Sequence, residues 1–378
     1  MTTRGSRSAG RLGAITALLM GCLPTASPHA DCDDDTTPPA MMGDAGMVDP
    51  GEGPADAISY RALATHPGCT TDGLSYEPAS IAGYQCAAKA YPVSGEDTSK
   101  PIVLLIHGNS DTPGVWESFT ASGCDTAGAT EGVPMLAENL ASRGFRVLAI
   151  DMRHDQVTDP ADDNERYNAA KNMDHGWGVP IAQHFIRSVL EAYPGRKISL
   201  VGHSFGVTVI RDALRRLDVN EGYDVWPRIE DVVLLAGGNH GVSSYGLCAA
   251  NETMRGEVTC EMGNRDAFAP TPFLGQLNGP SGAWETPCAD GLTAYGRDVC
   301  GGNAVDYTTI VMQDIPDGTQ QDLFVSEASS RLAGADNRLI GLNDFDETNY
   351  FFCGLLKNHF GPARALAGIS VILEKLES

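Results

Sequence analysis

Gly202-His203-Ser204-Phe205-Gly206 follows Lys197-Ile198-Ser199-Leu200-Val201, a short apolar strand signal. It precedes a run in which Val207, Ile210, Leu214 and Leu217 recur at helical spacing. The pentapeptide fits G-x-S-x-G, and its setting says more than the pattern. Glycines on both sides let the backbone turn sharply and keep side chains away from the serine. A serine at such a strand-to-helix turn is pushed up and out of the sheet, where its hydroxyl can meet another molecule. An incidental serine in a glycine-rich turn would require neither flank.

Outward from this turn the chain alternates strand and helix signals. Pro101 to Ile106, Phe145 to Ile150, Val232 to Ala236 and Tyr307 to Met312 read as buried strands. Val133, Leu136, Ala137 and Leu140 mark one helical stripe, and Ile181, Phe185 and Val189 another; Ser370 to Leu376 predicts a closing helix. Repeated βα units imply an α/β fold, with a mostly parallel sheet covered by helices on both faces. In such sheets, sites lie beyond the carboxyl ends of the strands. Residues 240–305 break the alternation with a long Gly-rich stretch holding Cys248, Cys260, Cys288 and Cys300. Pinned loops of this length are usually functional. With Phe268, Phe273, Leu274, Leu277 and Trp284, the stretch reads as a cap insertion forming part of an acyl-binding wall. A stapled surface excursion remote from the site is the alternative.

The 378 residues suffice for one large domain, 58–378, with flanking segments. A formal net charge of −23 offers no basic footprint for nucleic acid and disfavours adhesion to anionic lipid by charge. Arg4, Arg7 and Arg11 precede an apolar stretch, Leu12 to Cys22, too short to span a bilayer; residues 1–22 read as an export signal. Leu19-Met20-Gly21-Cys22 resembles a bacterial lipobox, whose cysteine would carry a lipid and attach the protein to a membrane. Cleavage after Ala26 or Ala30, with free secretion, is the alternative. Residues 23–57, rich in Pro, Gly and acid, form a linker with little to bury. Ten cysteines in an exported chain imply disulfides. Proximity suggests Cys69–Cys86, Cys248–Cys260 and Cys288–Cys300, which leaves Cys124 for Cys353, with Cys22 and Cys32 in the tail.

A serine hydroxyl becomes a useful nucleophile when a histidine takes its proton and a carboxylate fixes that histidine's tautomer. In the elbow arrangement the order is serine, acid, histidine. Only His240 and His359 lie downstream of Ser204. His359 has acids before it and is the candidate base. His240, in Gly237-Gly238-Asn239-His240-Gly241, reads as a pocket or turn residue, and His203 points away from the nucleophile. Asp314, Asp317 and Asp322 all follow the strand ending at Met312, and Asp317-Gly318 is also a good turn dipeptide. His154, Asp155, Asp174 and His175 match no standard ligand spacing, and no CxxC pair occurs, so neither metal nor cofactor is expected.

Over residues 100–375 the chain resembles secreted alpha/beta-hydrolase lipases, especially the bacterial class 2 type and related polyester-degrading enzymes. The resemblance rests on Ile106-His107-Gly108-Asn109, the 202–206 turn, Gly237 to Gly241 and Thr271-Pro272-Phe273-Leu274 with Leu277-Asn278. It continues through Tyr307-Thr308-Thr309-Ile310 and from Asp322 through Gly334-Ala335-Asp336-Asn337 to His359. It implies the alpha/beta-hydrolase fold. It places the acid on Asp322, with Asp314 to Gln321 as an extra segment that keeps Asp317 in play. It also implies an oxyanion hole made by the backbone N–H groups of Asn109 and Phe205. Val207 departs from the family, whose members often have glycine there. The expected function is an exported serine carboxylic ester hydrolase with the triad Ser204, Asp322 and His359, acting on an ester or lipid-like substrate. A polyester depolymerase and an acyltransferase are rivals of the same class, and a non-reactive binding protein is a rival from another.

Overall fold

Ile102–Ile106 and Ile198–His203 are buried at every position, as central strands covered on both faces must be. A computed structural model describes residues 59–60, 77–78, 87–91, 93, 95–109, 111–117, 135–153, 157–158, 178–242, 262, 272–341 and 358–378. The strands in chain order are β1 (Ser59–Tyr60), β2 (Glu77–Pro78), β3 (Ala88–Tyr91), β4 (Ile102–Ile106) and β5 (Val147–Ile150). They continue as β6 (Val157–Thr158), β7 (Ile198–His203), β8 (Ile229–Leu235), β9 (Asp306–Met312) and β10 (Asp336–Ile340). The helices are α1 (Leu136–Ser142), α2 (Val179–Ala192), α3 (Phe205–Arg215), α4 (Pro272–Asn278), α5 (Glu327–Ser330), α6 (358–364) and α7 (Leu366–Leu376).

Eight strands form one sheet in the order β10-β9-β8-β7-β4-β5-β3-β2, and β1 pairs with β6 in a separate antiparallel ribbon. From β10 through β5 every pairing is parallel; β3 and β2 add an antiparallel edge. The chain leaves β4 toward β5 and then returns to build β7 on β4's other side. That reversal is a topological switch point, where α/β sheets place their sites.

Alternation within each strand divides the core in two. Ile102, Leu104, Ile106, Leu200 and Val232 pack with α2 and α3 residues such as Phe185, Val189, Ile210 and Leu214. Val103, Leu105, Val147, Val201 and Val233 pack with Leu136 and Leu140 of α1 and with Ile369 and Ile372 of α7. The helices therefore cover both faces, as the alternation implied.

Several boundaries differ from the sequence reading. Strand β5 starts at Val147 rather than Phe145, β8 begins at Ile229, and α7 starts at Leu366, one helical turn before Ser370. Strand β10 was not anticipated because Asp336, Asn337 and Arg338 interrupt any apolar run. The Asn337 side chain supplies its order, accepting from the Leu332 N–H and donating to the Leu332 and Ala335 carbonyls. Within 240–305 the described part includes α4 and a disulfide between Cys288 and Cys300. Phe273, Leu274 and Leu277 of α4 are buried in the α2–α3 layer of the core, so these apolar side chains cover the sheet's helices. The other suggested cysteine pairs, Phe268, Val133, the export signal and the linker lie outside the described residues.

Asp231, near the start of β8, is a buried carboxyl that accepts the Ser199 hydroxyl at 2.6 Å. Burial raises its pKa from 3.8 to about 6, with repulsion from Glu230 and Asp306 adding to the rise and the Ser199 hydrogen bond opposing it. The folded state thus holds this proton more tightly than the unfolded chain. Its contribution to stability is lost as pH climbs from about 4 to about 6. Asp231→Asn keeps an acceptor for Ser199 and cannot ionise. Its melting temperature should exceed the parent's at about pH 8 and converge with it near pH 4. An offset that is the same at both pH values would contradict this assignment.

Candidate active site

Strand β7 ends at His203, α3 begins at Phe205, and Ser204 alone makes the bend, with φ 56° and ψ −122°. Such a conformation in a non-glycine residue costs on the order of 1–3 kcal/mol and persists only where its surroundings enforce it. The enforcement is visible. The Ser204 N–H donates to the Leu235 carbonyl at the end of β8, at 2.8 Å. A Cβ on Gly202 would stand 2.9 Å from the Gly206 carbonyl oxygen, and one on Gly206 would collide with the carbonyl oxygens of Ile106 and His107. Only glycine lets the turn sit this close to β4. Val207, the departure from the family pattern, is accommodated by Gly237, where any Cβ would overlap the valine side chain.

The His359 ring, 3% exposed, comes from α6 and reaches Ser204: Nε2 lies 2.8 Å from Oγ. Its Nδ1 lies 2.8 Å from Oδ2 and 3.0 Å from Oδ1 of Asp322. With a carboxylate at Nδ1 the proton resides there, leaving Nε2 to accept the Ser204 O–H. Asp322 is only 1% exposed, yet it is well satisfied. Its Oδ1 also accepts the N–H groups of Phe324 at 2.7 Å and Val325 at 3.0 Å. Phe324 then meets the imidazole edge-on, with ring centroids 4.8 Å apart.

Of the three acids after β9, the structure brings Asp322 to the histidine. Asp317 stands exposed and accepts the Thr319 N–H at 2.9 Å. The Thr319 hydroxyl, with that N–H, holds its carboxyl below the usual range. It caps a turn closed by Gly318 N–H donating to Ile315. Asp314 accepts the N–H groups of Gln321 and Glu327. The extra segment is therefore a turn tied to the start of α5 through Asp314 and to α6 through the Gln321 carbonyl, which accepts from Asn358, and Asp322 follows it facing inward.

The loop after β4 runs beside the serine. A Cβ on Gly108 would stand 2.9 Å from the Ser204 Cβ and 3.4 Å from its Oγ, and half-buried Asn109 follows. His107, fully buried, shapes this loop: its Nδ1 donates to the Gly108 carbonyl at 2.8 Å and its Nε2 accepts the Met152 N–H at 3.0 Å. Burial lowers its pKa, so it holds the loop as a neutral ring. Phe205, at the first position of α3, is buried. His240 lies in the loop after β8, with Nδ1 3.2 Å from the Ser329 carbonyl and Nε2 3.1 Å from Glu285, where it ties loops together. The sequence reading did not foresee the ring packing of Phe324 and Phe360 on His359. Aromatic residues two positions after the acid and one after the histidine were the available signal. His154, Asp155, Asp174 and His175 lie outside the described residues. Among the described residues no group of three or more His, Cys, Asp or Glu side chains is arranged to hold a metal, and no helix is long and apolar enough to cross a membrane.

A strained serine at the switch point of a doubly covered parallel sheet, hydrogen-bonded to a histidine and through it to a buried carboxylate, defines a hydrolase-type nucleophile elbow. The chain belongs to the alpha/beta hydrolase family, whose sequence profile matches residues 103–345. No curated protein matches it in sequence. Among solved structures it is similar to the mature lipase BlEst2 of Bacillus licheniformis, at 18% identity over 76% of this chain and 97% of that one, with a TM-score of 0.44. It is also similar to the esterase RhEst1 of Rhodococcus sp. ECU1013, at 14% identity over 81% and 99% of the two chains, TM-score 0.39. The phospholipase PlaB of Legionella pneumophila is similar at 15% identity over 74% and 60%, TM-score 0.40.

The closeness of Gly108 to the serine has a direct consequence. Gly108→Ala places a methyl group against Ser204 and should slow phosphorylation of that serine by diethyl p-nitrophenyl phosphate by about 100-fold. Labelling of this variant at the parent's rate would show that the loop does not confine the serine.

Proposed function

We propose that the protein is a serine carboxylic ester hydrolase. The observation that supports this reading best is the unbroken relay from Ser204 through His359 to Asp322, with both nitrogens of one imidazole engaged at 2.8 Å. In this reading Oγ attacks the ester carbonyl while Nε2 of His359 takes its proton. Asp322, held by two N–H groups, stabilises the imidazolium without accepting the proton. The backbone N–H groups of Phe205 and Asn109 would hold the oxyanion, and losing one such donor typically costs on the order of 3 kcal/mol in the transition state. Collapse breaks the ester C–O bond, and the proton on Nε2 passes to the departing alcohol. Water then attacks the acyl-serine, giving its proton to the same nitrogen; the acyl C–Oγ bond breaks, Oγ takes that proton back and the acid departs. The resemblance to class 2 lipases points to lipid-like acyl esters. The amino-terminal segment points to export, with a lipid on Cys22; Cys22→Ser should then move the protein from membrane to soluble fraction.

The test uses a chain-length series of p-nitrophenyl esters. Ser204→Ala should abolish turnover with an unchanged circular-dichroism spectrum, and equal rates in variant and parent would end the proposal. Asp322→Asn should lower kcat by about four orders of magnitude, as expected when the histidine tautomer is lost. Asp317→Asn, at an exposed turn, should stay near the parent. The opposite ranking would reassign the acid.

A further inference from the structure

His203 is outside the relay, yet it touches the relay's base at two points. Its Nε2–H donates to the main-chain carbonyl of His359 at 2.9 Å, and the two rings lie 5.0 Å apart between centroids. Phe360 lies against the His203 ring at 5.1 Å, and Trp116 meets it edge-on at 6.5 Å, so the ring is 1% exposed and closely held. A carbonyl can only accept, which places the His203 proton on Nε2. Burial, with the His359 and Arg364 side chains nearby, keeps the His203 pKa well below the ordinary histidine value. The ring stays neutral and the tautomer stays fixed.

Resting on the reading of Ser204 as nucleophile, we infer that His203 is a positioning residue that anchors the main chain of residue 359, so that the imidazole of His359 meets Ser204. Two consecutive residues of the turn grip one distant residue at its two ends. Ser204 takes the ring, and His203 takes the carbonyl. Asp322 and Ser204 fix the two ring nitrogens, and α6 is tied to the loop after β9 by Asn358, whose Nδ2 donates to the Gln321 carbonyl at 2.6 Å, but none of these contacts touches the main chain of residue 359 itself. The His203 bond adds an anchor at the carbonyl of residue 359 itself. It also couples the placement to the nucleophile through a single peptide unit, so a displacement of the turn carries the base along. This accounts for a donor-bearing imidazole buried among aromatic rings.

The experiment compares His203→Gln with His203→Asn in the full-length protein. A glutamine amide can place its N–H near the position of Nε2, whereas an asparagine amide falls short. His203→Asn should lower both kcat and the phosphorylation rate of Ser204 by diethyl p-nitrophenyl phosphate about 10- to 100-fold. KM should stay within about threefold, because substrate contacts are unaltered. His203→Gln should recover both rates to within about fivefold of the parent, while the two variants lose similar amounts of thermal stability. Equal labelling rates in the Asn and Gln variants would overturn the inference, as would losses that track melting temperature or appear only in KM. His203→Leu, which fills the space without a donor, replaces the Asn variant if that one does not fold. Were the parent labelled at Ser204 but inert toward every ester, the ester reading would fail. The Gln–Asn contrast in labelling would still decide the role of His203.

Discussion

The bend at Ser204 is the constraint from which the rest of the site follows. A residue with a side chain is held at φ 56° by a hydrogen bond to the neighbouring strand and by glycines that let three stretches of backbone approach closely. The cost is local, and the buried sheet around it absorbs the strain. Relaxing the bend would drop the hydroxyl back toward the strand and break its contact with a histidine 155 residues away in the chain. Gly108, Gly202, Gly206 and Gly237 therefore serve one purpose. Each removes a side chain where the turn, the β4 loop or Val207 needs the space.

The sheet converts sequence distance into proximity. Strands β4, β7, β8 and β9 are parallel neighbours, so their carboxyl ends open on the same side. The loop after β4 brings Gly108 and Asn109, the exit of β7 brings Ser204, and the loop after β9 brings Asp322. His359 arrives from α6, just ahead of the helix that seals the opposite face of the sheet. A buried carboxylate in such a place is tolerable because it is paired and hydrogen-bonded. Asp322 satisfies both conditions, with the imidazole on one side and two main-chain N–H groups on the other.

The regular part of this architecture was legible in the sequence because it is periodic. An uninterrupted apolar run marked β4, a short mostly apolar one ahead of Gly202 marked β7, and stripes at helical spacing marked α2 and α3. The serine and histidine stood out from order and context, while the spacing of family markers pointed to Asp322 and kept Asp317 in play. Strand β10 was not, since its polar residues carry no apolar signal and its start is organised by the Asn337 side chain. The choice between Asp317 and Asp322 was also beyond spacing alone. Both follow the same strand, and what separates them is that one amide turn is exposed and the other is folded inward under Phe324. Phe273, Leu274 and Leu277 of the 240–305 stretch pack into the core beside α3.

The central claim is that Ser204 carries a covalent acyl group during turnover. Acid quenching of a p-nitrophenyl ester reaction in the steady state, followed by intact-mass and peptide analysis, tests it directly. One acyl group per chain, confined to the peptide containing Ser204 and missing from Ser204→Ala, is the predicted result. Sustained hydrolysis with no acylated protein at any quench time, or an acyl group on another residue, would contradict it.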